Sequence, residues 1–167
     1  MEDKAAADLV QEIEAVFLKT PMPFETNLIT SRQSDEEAEY ALTFRGLEWH
    51  KIHPDLLVEC VEALNFFTAE ALRYYVPAFM RAHLYGYHDA DAVFTLTHGF
   101  YKDEKIDALM SKYPVNKFDS EKYAREQLSL FSREERIVII AYLRYIAQND
   151  IYEKNAVDQA LENYWLK

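Results

Sequence analysis

The sequence predicts an all-α fold, a bundle of about six to eight helices in one domain spanning residues 1–167. Three observations carry this. The chain has only three glycines, and each of them, Gly46, Gly86 and Gly99, follows a helical run where a left-handed C-terminal cap is wanted. No Asn-Gly or Asp-Gly hairpin signal occurs. Apolar residues return at the 3.6-residue period in segment after segment. At 167 residues, half of them hydrophobic, one core can form without disulfide or metal staples, and the composition is far from that of a disordered chain.

Residues 5–19 place Leu9, Val10, Ile13, Val16 and Phe17 on one face, which predicts an amphipathic first helix ended by Thr20 to Phe24. Ser34-Asp35-Glu36-Glu37 is a capping box that opens a short helix to Arg45. Pro54 suits a first helical position, and Leu56, Leu57, Cys60, Val61 and Leu64 continue as a stripe, predicting a third helix to about Asn65. Thr68 caps a fourth helix with Phe67 and Leu72 spaced as a hydrophobic staple; its stripe is Leu72, Tyr75, Val76, Phe79, Met80 and Leu84. Between residues 88 and 131 the periodicity is weak, and 89–98 and 102–112 read as short helices. Ser132-Arg133-Glu134-Glu135 is a second capping box. It precedes Ile137 to Ile146, apolar enough to predict a central helix, with the cap outweighing the β-branched content of Ile137 to Ile140. A last helix carries Ala156, Val157, Ala160, Leu161, Tyr164 and Trp165 on one side. Pro21, Pro23, Pro54 and Pro114 mark boundaries.

The charge balance of 18 basic against 29 acidic residues gives a net charge of −11. Such a surface repels phosphate backbones and anionic lipid, so neither nucleic acid nor membrane is expected as a partner, whereas a basic protein is compatible. The single cysteine, Cys60, excludes an internal disulfide and a cysteine-cluster metal site, and its place in an apolar stripe marks it as a core residue. The acidic N-terminus lacks the apolar stretch of a signal peptide, and a cytoplasmic address is expected.

Pro77 is the one proline that falls inside a helical run. It removes the hydrogen bond to the Arg73 carbonyl and predicts a kink. Arg73, Pro77 and Arg81 fall on one line at i, i+4 and i+8, opposite much of the apolar stripe, with Glu70 one turn before Arg73 as its expected ion-pair partner. Two arginines flanking a kink could hold an anion or a partner's carboxylate, with Trp49 and Tyr74 as walls; internal pairing with acids is the alternative. Trp49, Glu70, Arg73, Tyr74 and Arg81 are therefore the candidate ligand- or partner-binding residues.

With Phe44, Gly46 and Trp49 ahead of it, the stretch from Phe66 to Phe79 resembles a bacterial family of unknown function. That family's hallmark is a tryptophan followed, after one helix, by Phe-Leu-(Thr or Ser)-x-Glu-Ala-Phe-Arg-Tyr-Tyr-Leu-Pro-Ala-Phe. Phe67, Leu72 and Val76 replace the usual Leu, Phe and Leu, all apolar exchanges. The resemblance implies a bacterial origin and an important role, structural or functional, for Trp49, Glu70, Arg73, Tyr74, Tyr75 and Pro77.

His50 and His53 make a His-x-x-His spacing, but Pro54 puts His53 at a helix start and no third ligand is fixed by spacing, so no metal is expected. No phosphate loop, nucleophile elbow or Ser-His-Asp signature occurs, and no catalytic residue or cofactor is expected. The acids of the two capping boxes are explained by the helix dipole. What remains is a non-catalytic interaction module with an acidic surface rich in tyrosine (12 Tyr), or else an anionic-ligand site beside Pro77.

Overall fold

The structure, a computed structural model, describes residues 3–30, 34–112 and 118–167. Nine α-helices occur among these residues: α1 Lys4–Phe17, α2 Asp35–Phe44, α3 Pro54–Glu59, α4 Ala69–Leu84, α5 Val93–Thr97, α6 Glu104–Met110, α7 Ser120–Gln127, α8 Arg133–Asn149 and α9 Lys154–Ala160. Short 3₁₀ turns at Glu25–Asn27, Trp49–Lys51, Val61–Asn65 and His88–Ala90 link them. The described residues contain no strand, only one antiparallel bridge between Ile29 and Phe67. The boundary expected at Pro114 lies outside the described residues.

Both capping boxes form. The Ser34 hydroxyl accepts from the Glu37 amide and the Glu37 carboxylate accepts from the Ser34 amide; Ser132 and Glu135 repeat the arrangement at the head of α8. Thr68 caps α4 through the Ala71 amide, and its own hydroxyl donates to the Asn27 carbonyl, which ties the loop before α2 to the start of α4. The third segment differs from expectation. Pro54 opens α3, but the helix ends at Glu59, and Val61–Asn65 tightens into a 3₁₀ turn. Cys60, at φ −114° and ψ 24°, is the break, and its side chain is half-buried rather than fully inside. α7 has no counterpart in the sequence reading.

α4 is the central helix, a position that the apolar run of Ile137 to Ile146 predicts for α8. Residues on nearly every face of α4 are buried, Pro77 included, because α1, α3, α7 and the turns at Trp49–Lys51, Val61–Asn65 and His88–Ala90 all pack on it. The line of Arg73, Pro77 and Arg81 is therefore not an open face. α8 instead packs one side on α1 and α9 and leaves Ile137 exposed.

Aromatic rings fill the core in two groups. Phe44, Phe67 and Tyr75 meet with centroids 5.0–5.2 Å apart, and the buried Tyr75 hydroxyl donates to the Phe44 and Leu47 carbonyls at 2.7 and 3.1 Å. At the other end Phe100 stacks on Tyr164 at 4.4 Å, while Trp165 Nε1 donates to the Leu96 carbonyl and the Tyr164 hydroxyl to that of Leu128. There the last helix widens into a π turn over Leu161–Trp165, and Arg136 donates to the carbonyls of Tyr164 and Trp165.

Gly99 shows how tightly the smaller helices close. Its φ is +89°, and a Cβ there would fall 2.6 Å from the Ser120 carbonyl oxygen and 3.0 Å from the Ala124 Cβ. Gly86 has a similar φ of +93° but nothing within 4 Å of a built Cβ. Gly99→Ala is therefore expected to lower stability by about 2 kcal/mol, backbone strain plus displacement of α7, and Gly86→Ala by about 1 kcal/mol from strain alone. Urea melts of the two variants check the difference; equal losses would contradict it.

Candidate functional site

The five residues singled out in the sequence do not form one site. Arg73 turns away from Glu70. Its Nε donates to both carboxylate oxygens of Glu135, at 2.8 and 3.1 Å, and Glu70 instead accepts from the Asn27 side-chain amide at 2.7 Å. The cause is geometric, since the fold brings the N-terminus of α8 beside Arg73 and so offers it the buried carboxylate of Glu135. Glu135, 2% exposed, also accepts from the Thr20 hydroxyl at 2.5 Å and from the Ser132 amide at 2.7 Å. It is a capping residue, a salt-bridge partner and the acceptor that fixes the end of α1's connection, not only a first-turn acid favoured by the helix dipole.

Trp49 and Arg81 do come together, and Tyr74 reaches the Trp49 backbone. Trp49 is buried beneath the Arg81 guanidinium, which lies 5.4 Å from the indole centroid, donates to the His50 carbonyl at 2.9 Å and pairs with Glu14 of α1 at 3.1 Å. Tyr74 packs edge-on against Tyr75, and burial raises its phenol above the ordinary range, so it stays neutral. Both rings are interior, and each arginine is held by a carboxylate within the fold. An anion clamp would need the guanidinium edges turned outward. Around His50, Glu48 pairs with Lys51, which holds its carboxyl below the usual range. No group of three or more His, Cys, Asp or Glu side chains among the described residues is placed to hold a metal.

The C-terminal end of α4 presents a different surface. Gly86 lies between two exposed tyrosines, Tyr85 and Tyr87, and borders two open grooves. One, of about 470 Å³, is lined by Asp55, Glu59 and Asp89 with Val58, Tyr87 and His88. The other, of about 540 Å³, runs along α1 past Asp3, Gln11 and Glu14. Among the described residues, neither lining contains a lysine or an arginine. Asp55, Glu59 and Asp89 are exposed, whereas Glu14 is partly neutralised by Arg81, and the Tyr145 hydroxyl donates to Asp3 and lowers its pKa. The carbonyl end of α4 adds its own partial negative charge to the same place. In the sequence Gly86 reads only as a helix C-cap; Asp55 and Glu59, one turn apart on α3, meet Asp89 of the His88–Ala90 turn only through the fold.

A family model matches the chain over residues 5–167. The protein belongs to the family of unknown function DUF6714. The match takes in both capping boxes, the whole of α4 and the π turn at the chain's end, so the architecture described above is that of a DUF6714 member along nearly all of its length. No curated protein and no solved structure matches it. No helix among the described residues of this DUF6714 chain is long and apolar enough to cross a membrane.

Proposed function

We propose that this DUF6714 protein is a non-catalytic interaction module that holds a basic segment of a protein partner in the acidic grooves at the C-terminal end of α4. The observation that carries the reading is the convergence of Asp55, Glu59 and Asp89 beside Tyr87 at a helix C-terminus, with no lysine or arginine among the described residues that line the groove. Carboxylates offer a lysine or arginine charge-assisted hydrogen bonds, the helix end favours a cation, and a tyrosine face can cover the arginine guanidinium. The net charge of −11 would steer such a partner in and make association fast at low salt.

The test is titration of the full chain with a lysine- and arginine-rich peptide at low and moderate salt, followed by amide NMR shifts. Binding is expected to weaken as salt rises, with shifts centred on residues 55–59 and 85–89. Each exposed pair contributes about 0.2–1 kcal/mol, so Asp55→Asn, Glu59→Gln and Asp89→Asn combined are expected to weaken binding roughly tenfold. Neutralising Asp35 and Glu36 on α2 should change it little. Equal losses from the two sets would show generic charge attraction and defeat the assignment to α4.

A further inference from the structure

Some 20 Å back along α4, at the 1.5 Å rise of a helix, lies a concavity of another character. It is a half-open pocket of about 190 Å³ between the Val61–Asn65 turn, the first half of α4, α5 and α7. Leu64, Leu72 and Leu128 form its buried floor. Two ring pairs stand over that floor: Phe94 stacks on His98 at 4.6 Å and 27°, and Phe118 leans on Tyr123 at 5.5 Å and 54°. Phe94 and Phe118 are 55% and 70% exposed and line the pocket with ring surface open to water. The polar edge consists of Asn65, Thr95, His98 and Gln127.

On a protein with 47 charged side chains, the described residues of this lining include no Asp, Glu, Lys or Arg. Burial lowers the pKa of His98 and raises that of Tyr123, so both are neutral near pH 7. A charged ligand would lose its hydration there with nothing to compensate it, whereas a flat uncharged ring would exchange water for ring faces on two sides. Size sets the scale as well. An apolar cavity of about 150 Å³ holds benzene, so this pocket takes one ring or a fused pair, not a larger molecule.

We propose that the pocket between α5 and α7 is a binding site for an uncharged, planar ring compound of one or two fused rings, held between Phe94 and Phe118 with its polar edge toward His98 and Gln127. It is independent of the acidic grooves at the other end of α4. Indole is the probe, added to the full-length protein and followed by amide NMR shifts. The expected result is saturable change confined to residues 64–72, 94–98 and 123–128, with Phe94→Ala and Phe118→Ala each weakening binding about three- to tenfold, in line with the contribution of one ring contact. Both positions are exposed, so the variants retain the fold; circular dichroism melts verify this. Indole-3-acetate, an anion, and cyclohexanol, a non-planar ring, are expected to bind at least tenfold more weakly than indole. The proposal is overturned if indole fails to saturate at millimolar concentration, if its shifts map elsewhere, or if indole-3-acetate and cyclohexanol bind as well as indole. It is equally overturned if a tryptophan-bearing peptide occupies the pocket while free indole does not, since the site would then accept a side chain of a protein partner.

Discussion

Arg73→Ala is expected to destabilise the protein by about 3 kcal/mol, because it leaves the buried carboxylate of Glu135 without its cation. The value falls at the lower end of the range for broken buried pairs for two reasons. Arg73 keeps 26% of its side chain in contact with water, and Glu135 retains the Thr20 hydroxyl and the Ser132 amide. Glu135→Ala should cost at least as much, since it also removes half of the capping box and leaves the Thr20 hydroxyl without its acceptor. Replacing both with methionine should recover much of either loss, as a well-packed apolar pair substitutes for a buried ion pair at little net cost. Urea melts of the singles and the double variant measure this as a coupling energy. An Arg73→Ala protein within about 0.5 kcal/mol of the parent would show that the pair contributes no more than an exposed one and would contradict the account.

That pair also marks where the sequence stops being legible. Caps are local, so Ser34 with Glu37, Pro54, Thr68 and Ser132 with Glu135 could each be read from a few neighbouring residues, and each forms in the structure. The helical character of Ile137 to Ile140 was readable for the same reason. Pairings across the chain were not. Glu70 was the near neighbour of Arg73 in sequence, but Glu135, 62 residues away, is the one that packing delivers, and it displaces Glu70 onto Asn27. The break at Cys60 was hidden because the apolar stripe continues through it; a 3₁₀ turn keeps Ala63 and Leu64 buried while changing the direction of the chain. α7 has a strongly polar sequence and buries only Ala124, so no apolar stripe marked it. The acidic groove was legible only as net charge, because its three carboxylates come from α3 and the His88–Ala90 turn.

Trp49→Ala is expected to cost about 3–5 kcal/mol, the usual loss for truncating a buried large aromatic. Trp49 is 1% exposed and is held by a single 3₁₀ turn between α2 and α3, with Arg81 laid across its ring, so the cavity left behind lies between the turn and α4. Arg81→Ala removes the other half of that contact. Its pair with Glu14 is partly open to water and contributes at most about 1 kcal/mol, and the bonds to the His50 carbonyl and the indole face add about 1 kcal/mol more, giving a loss near 2 kcal/mol. Arg81→Lys keeps the charge but not the two-pronged donation, and is expected to fall between. This assigns Arg81 to the fold, although its line on α4 with Pro77 had marked it as a residue for a ligand or partner. Glu14, freed from Arg81, would add one more anion to the groove beside Tyr85, so Arg81→Ala should bind the basic peptide as well as the parent or somewhat more tightly. Denaturant melts read beside the peptide titration decide the matter: an Arg81→Ala protein that kept its stability and lost the peptide would return Arg81 to a binding role and remove Trp49 from a purely structural one.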